Sequence, residues 1–415
     1  MTRPVEPVAS SAARDVSLGY LRASIVLLVI AHHVATAYAP LLPRPFTGFP
    51  DDPVLGRAWG AFPIVSPQKA PGFLWFLGLN DTFFMSLLFL LSGVYVARSL
   101  GRRGPAGFAR ARLWRLGVPF ALSAVFLAPL AYAPAYIQIT GGGSAGDFLG
   151  RWFGAANLTA GPAWFLWLLL AFDLVAALLS MAWKDWPDAL RRLLPRGDRP
   201  ALFFGLLLLL SALAYIPLAA VFGSAHWTAL GAFQVQTSRL AHYALYFTVG
   251  VCLGRQGDHE TLLAPDGPLA RNWWVWALAA VLAPVVGAAA VIGSSAPGLT
   301  MPARETIGGV GFVYDCAALC FVFLAVFLRF VRRANPVMDS LRDNSYGIYL
   351  VHYVFVNWLN HALLGPQLPA VAKFAIAVVG AAALSWITAA LLRRLVGLTP
   401  PRRDQPPAPK LASAA

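Results

Sequence analysis

Ten stretches of about 20 mostly apolar residues run along the chain, at roughly 18–39, 73–97, 117–137, 162–183, 201–223, 239–254, 273–295, 307–328, 345–364 and 370–392. As an α-helix, a stretch of this length spans the hydrocarbon core of a bilayer. The pattern predicts an all-α, polytopic transmembrane helix bundle of about ten spans, forming one membrane-embedded domain over residues 18–392. The weakest stretch is 239–254, which is short and carries Arg239 and His242. The first ends on Ala35-Thr36-Ala37, which resembles a signal-peptide cleavage site. Its apolar run is too long for that and contains Arg22, His32 and His33, so it is predicted to remain as a span.

The connections are short. The longest, about 40–72, is rich in Pro and Gly, and none could bury a core of its own. Residues 1–17 and 393–415 read as disordered tails. No period of 20–50 residues points to repeats.

Composition agrees with the pattern. Of the 415 residues 58% are apolar and 12% charged, about half the ~25% charged of a soluble domain. That excludes a soluble globular enzyme and a disordered chain. The net charge of +14 is not a nucleic-acid signal, because its placement follows topology. With ten spans, 24 of the 32 Lys and Arg fall on one side. The positive-inside rule makes that side, with both termini, cytoplasmic, and places the protein as a multi-pass protein of the inner membrane. Cys252, Cys316 and Cys320 show no Cys-x-x-Cys, so neither a disulfide framework nor a metal site is expected. No phosphate-binding Gly loop, His-Glu-x-x-His or Gly-x-Ser-x-Gly is present. Chemistry must come from residues in the spans or at their ends.

A charge at the bilayer centre costs about 2.5–3.5 kcal/mol on insertion scales, so polar residues in the spans are the candidates. Arg22 and His33 are 11 residues apart, three helical turns plus about 20°, on one face and about 16 Å apart along the axis. This puts a cation at the cytoplasmic edge and an imidazole deep on the same wall. His32 is rotated by about 100° and is read as a packed residue. Arg98, Arg102, Arg103, Arg110, Arg112 and Arg115 exceed what orientation needs. Arg112 and Arg115 share a helix face suited to a polyphosphate; Arg98, Arg102 and Arg103 suit anionic lipid heads. Ser92-Gly93 reads as close helix packing, and Trp164 and Trp167 as an interfacial aromatic belt. Asp173 and Asp315 are buried carboxylates, and His352 lies about ten residues into the ninth span. Asp81, Arg239, His242 and Glu305 are expected near an outer mouth.

These residues match a family pattern. Leu18-Gly-Tyr-Leu-Arg22 through His33, Phe89-Leu-Leu-Ser-Gly93, Arg112-Leu-Trp-Arg115 with Pro119, Trp164-Phe-Leu-Trp167 and Ser345-Tyr-Gly-Ile-Tyr-Leu-Val-His352 occur in order over residues 18–352. In this the chain resembles the acyltransferase 3 family of bacterial integral-membrane acyltransferases, most closely its glucan-succinylating branch. The resemblance implies transfer of an acyl group, acetyl or succinyl, from cytoplasmic acyl-CoA to a hydroxyl of a carbohydrate or other envelope acceptor. Acyl-CoA would be a co-substrate, with no permanently bound cofactor, no metal and no nucleic-acid partner. The family's Arg-x10-His falls on Arg22 and His33, and its Arg-x-x-Arg on Arg112 and Arg115. Ser92, Trp164, Asp173, Asp315 and His352 would be supporting residues. Two positions depart from the pattern: the family often has an acid where this chain has Gly19, and many members another where it has Ser86. Homology therefore assigns His33 no carboxylate partner, leaving Asp81, Asp173 and Asp315 unranked.

The expected mechanism docks CoA phosphates on Arg22, Arg112 and Arg115 and brings the thioester to His33, as general base or transient acyl carrier. A proton-coupled transporter or exporter is the alternative class, since intramembrane His, Asp and Arg also serve carriers. Neither paired broken helices nor internal two-fold similarity supports it. The acceptor, the acyl group and the oligomeric state are not encoded in any motif.

Overall fold

The computed structural model describes residues 7–42, 44–45, 60–154, 159–255, 262–395 and 397. It is a helix bundle in which the predicted apolar stretches fall on helical segments; the one at 117–137 runs through the π-helical turns Leu113–Gly117 and Ser123–Leu127 and the short helix Val118–Leu122 before the helix that begins at Ala128. The helices are α1 (Pro7–Ala35), α2 (Gly72–Arg112), α3 (Ala128–Thr140), α4 (Trp164–Ala182), α5 (Pro200–Phe222), α6 (Leu240–Gly254), α7 (Trp273–Ser294), α8 (Met301–Phe330), α9 (Pro336–Ala362) and α10 (Ala370–Leu395). Among the described residues, seven helical runs are long and apolar enough to cross a membrane. One of them, Gly72–Thr140, is 69 residues long, about 100 Å of helix against a core of ~30 Å. It is broken at Gly104 (φ 67°, ψ 165°), with Pro105 next. Glycine takes that backbone at low cost, and proline cannot donate the next ladder hydrogen bond. α6, only 15 residues long, and α9, with Asp339, Arg342 and Asp343 in its first turns, are not among the seven.

The N-terminal tail is shorter than expected. α1 begins at Pro7, so residues 7–17 are helical rather than disordered. Ser17 is fully buried and its hydroxyl reaches Ala13 O at 2.9 Å and Val331 O at 2.6 Å. Proline at the first helical position and alanines behind it favour a helix, which outweighs the compositional signal for disorder. Residues 1–6, and most of the expected tail 393–415, lie outside the described residues.

α1 forms the centre and contacts α2, α8, α9 and α10. Of its apolar window 61% is buried, against 17% in α7. Outer helices α5, α7 and α10 turn Leu213, Val285 and Val379 outward, where a lipid environment solvates them at no cost. α2 and α6 meet through glycine. A Cβ on Gly93, Gly250 or Gly254 would stand within 2.2 Å of a carbonyl oxygen of the facing helix. Gly93 thus has the packing role expected of it, and Gly250-x-x-x-Gly254 is the matching small-residue signal on α6.

α9 is polar because it repairs its neighbours' backbones. Pro119 has no N–H for the Arg115 carbonyl, and the Tyr346 hydroxyl donates to that oxygen. Pro134 leaves the Leu130 carbonyl in the same position, and Trp358 Nε1 donates to it at 2.9 Å. Asn357 donates to Ala131 O at 2.9 Å, and Tyr349 donates to Pro162 O. In lipid an unmet carbonyl has no water to turn to, so these side chains stand in for missing backbone donors where the segment 113–140 meets α9.

Candidate active site

A cavity of about 550 Å³ opens at one end of the bundle. Its walls come from the C-terminal half of α1, the N-terminal half of α2, the starts of α4 and α6, and the second half of α9. A hairpin forms its roof: Trp227–Leu230 pairs antiparallel with Phe233–Gln236. Gly231, at φ 56°, takes the first turn position, where a left-handed backbone lets two strands reverse over two residues. Two residues expected to form an aromatic belt anchor this roof. Trp167 Nε1 donates to Gln234 O at 3.0 Å. Trp164 stacks on Tyr243 at 5.9 Å and meets Trp227 edge-on at 5.8 Å.

His33 and His32 both line this cavity. The His33 ring lies 4.9 Å from Tyr353, 5.5 Å from His352 and 5.5 Å from His32, centroid to centroid. His352 is fully buried and is not among the cavity-lining residues. The Tyr353 hydroxyl lies 3.4 Å from Gly60 O, which also accepts from Tyr132 at 2.6 Å. His32, expected to be merely packed, has one side on Phe84 at 5.0 Å and the other open to the cavity.

One charged pair shares this cavity. Arg239 is 6% exposed; its Nη2 meets Asp81 Oδ2 at 2.5 Å and its Nη1 donates to Asp81 O at 2.8 Å. Its guanidinium also lies 4.8 Å over the Phe312 ring. Asp81 is therefore the one of the three unranked carboxylates that reaches the cavity, and it is committed to Arg239. Asp173, fully buried, faces Arg112 Nε at 3.2 Å. Asp315 packs against Gly287, where a Cβ would come within 2.6 Å of its Oδ2. Among the described residues no carboxylate is hydrogen-bonded to His33. Ser92 lines neither region, and Ser86 is buried away from the cavity lining. His242 lies 3.4 Å from Cys316 Sγ, and Glu305 3.3 Å from the Ser224 hydroxyl.

The other end of α1 is arginine-rich. Arg22 donates to Arg342 O at 3.4 Å, and the charges of Arg342 and Arg115 act on it. Its Nε is buried with no partner among the described residues. Arg115 is exposed. Arg342 pairs with Asp339 at 2.9 Å and Asp343 at 3.0 Å. At Gly19 the stem of Arg342 lies close, and a Cβ there would stand 2.6 Å from its Cδ. The carboxylates beside Arg342 come from α9. Arg112, on the same segment as Arg115, lies with its Nε 3.2 Å from Asp173 Oδ2.

Sequence patterning missed Tyr353, Tyr132, Arg342 and the hairpin. The hairpin carried a signal, alternating polar and apolar residues about Gly231. Tyr353 adjoins His352 in the matched segment but had no pattern of its own.

No characterised protein and no solved structure shows a significant match to the chain. The acyltransferase 3 family model, described as an acyltransferase domain, does match, over residues 15–390. That match runs from the start of the arginine-rich end through both walls of the cavity to the last helix, and the chain belongs to this family of membrane acyltransferases.

Proposed function

We propose that the protein transfers an acetyl or succinyl group from cytoplasmic acyl-CoA to a hydroxyl of a carbohydrate or other envelope acceptor, across the thickness of the inner membrane. The observation that carries this is the division of α1. Arg22 stands among Arg115 and Arg342, and His33, about 16 Å further along the same helix, opens into the cavity. In this reading both termini and the arginine-rich end face the cytoplasm. CoA phosphates dock on Arg22 and Arg115, with Arg112 and Arg342, each already facing a carboxylate, beside them. The unpartnered Nε of Arg22 is a buried donor that such a ligand would satisfy. The pantetheine arm runs inward along α1 and brings the thioester carbonyl to His33.

The acceptor enters the cavity from the opposite side. Flat aromatic faces at Trp164, Trp227 and Tyr243, with Gln234 and Gln236 beside them, suit a hydroxylated ring. A neutral His33 takes the hydroxyl proton while the oxygen attacks the thioester carbon. The carbon–oxygen bond forms, the carbon–sulfur bond breaks, and the proton leaves with the CoA thiol. In the two-step variant His33 nitrogen attacks first and holds the acyl group until the hydroxyl takes it.

The test is thiol release by purified protein in detergent given acetyl-CoA or succinyl-CoA and envelope glycan. Wild type is expected to release thiol and acylate the glycan, and His33→Ala to lose at least about 10³-fold in kcat, within the range of a general base or nucleophile. Full turnover by a well-folded His33→Ala protein sinks the reading. Single-turnover mixing without acceptor separates the two variants of the step: a burst of about one equivalent of CoA thiol in wild type, absent in His33→Ala, is expected only if His33 carries the acyl group.

A further inference from the structure

A histidine that acts at one ring nitrogen must carry its hydrogen on the other, and that N–H needs an acceptor. In many sites a carboxylate takes this role. Of the three candidate carboxylates, Asp173 and Asp315 do not line the cavity, and Asp81, which does, is bound by Arg239.

His352 has what is needed. Its Nδ1 lies 2.6 Å from Tyr349 O. A carbonyl oxygen only accepts, so Nδ1 carries the hydrogen and Nε2 is left with a lone pair. That Nε2 is buried and has no partner among the described residues. Its ring is 5.5 Å from the His33 ring, centroid to centroid. An in-line N–H···N bond of about 3 Å puts two imidazole centroids a little over about 5 Å apart, so a small rotation of either ring would close the bond that the unpartnered Nε2 lacks here. The other neighbours serve less well. The Tyr353 hydroxyl is turned to Gly60 O. The His32 ring stands at 89° to His33, and no hydrogen bond fixes its tautomer.

We infer that His352 is the positioning residue of this site: its Nε2 accepts the N–H of His33, which turns the other His33 nitrogen, with its lone pair, into the cavity. The tautomer is set by a chain that begins at a backbone carbonyl of α9, Tyr349 O to His352 to His33. Because His352 lies behind the cavity wall, it acts through His33 and touches no substrate. The inference rests on the acyl-transfer reading, in which His33 is the acting group.

The experiment compares His352→Leu, His352→Gln and His33→Ala as full-length proteins in detergent, with acetyl-CoA as donor. Leucine keeps bulk and removes the acceptor; glutamine restores an acceptor oxygen near the Nε2 position. His352→Leu is expected to lower kcat at least tenfold with the KM for acetyl-CoA within twofold of wild type. His352→Gln is expected to recover kcat to within about threefold. A packing role would give no such split and no rescue. If His352→Leu does not elute as a single species, His352→Met takes its place. Unchanged kcat in the leucine variant, glutamine as slow as leucine, or a kcat loss that follows His32→Leu instead would overturn the inference. Loss of activity in His33→Ala alongside any of these leaves acyl transfer standing, whereas full activity in His33→Ala sinks acyl transfer by His33 itself.

Discussion

At the arginine-rich end of α1, Arg342 shares Asp339 and Asp343, and all three side chains are 19–28% exposed. At the cavity end the Arg239 side chain is only 8% exposed and holds one carboxylate, Asp81, which is 48% exposed towards the cavity. The first arrangement lets charges rearrange around an incoming anion, because water and neighbouring carboxylates compensate each of them. The second leaves the cation less freedom: the buried guanidinium is held by the Asp81 carboxylate, by the Asp81 backbone oxygen and over the Phe312 ring. Ligand recognition therefore falls to charge at one end. At the other it falls to aromatic faces and neutral polar groups, with the ion pair holding the wall.

Breaking each pair in turn tests that contrast most directly. Asp81→Leu leaves the buried Arg239 only the backbone oxygen of residue 81, and is expected to cost more than about 1 kcal/mol and less than the ~3–5 kcal/mol of a fully buried pair. Arg342→Met removes a partly exposed charge whose carboxylates can be hydrated, for which about 1 kcal/mol or less is expected. Thermal denaturation in detergent reads both. Equal losses would mean that the two ends hold charge in the same way.

Two arginines three residues apart sharpen the comparison within one end. Arg112→Ala strands the fully buried Asp173 and is expected to lower the melting temperature by several degrees. Arg115→Ala removes an exposed cation that forms no ion pair among the described residues. It is expected to leave the melting temperature within a degree or two and to raise the acyl-CoA KM about tenfold, the loss of one phosphate contact worth about 1.4 kcal/mol. An unchanged KM in Arg115→Ala would remove the arginine-rich end from donor binding.

The division of α1 is legible in the sequence because it is local. Eleven residues on a helix fix the relative face of Arg22 and His33 whatever packs around them. The spans are legible for the same reason. What escapes reading depends on contacts between distant segments. The pairing of Arg239 with Asp81 and of Arg112 with Asp173 joins residues 158 and 61 positions apart, and no periodicity records it. Arg342 reads as one more cytoplasmic positive charge, and only the fold lays its stem over Gly19. The start of α1 at Pro7 is hidden because a Pro/Ala-rich stretch signals disorder by composition, while a first-turn proline followed by alanines also starts a helix.

The smallest expected effect concerns the scaffold that both ends share. α9 reaches Arg22 with its first turns and His33 with its later ones, and it meets the segment 113–140 through hydrogen bonds to carbonyls. Trp358→Phe keeps the aromatic bulk and deletes the Nε1 donor to Leu130 O, the oxygen that Pro134 leaves unpaired. Polar contacts of this kind in membrane helices average about 0.6 kcal/mol, so the melting temperature should fall by only a degree or two. Restoring an ordinary helical bond with Pro134→Ala should then make Trp358→Phe nearly neutral, because the backbone N–H gained by that substitution would serve the same carbonyl. A double-mutant cycle measures that coupling. Additive losses would mean that Trp358 is a packing residue, and that the polarity of α9 has a cause other than its neighbours' prolines.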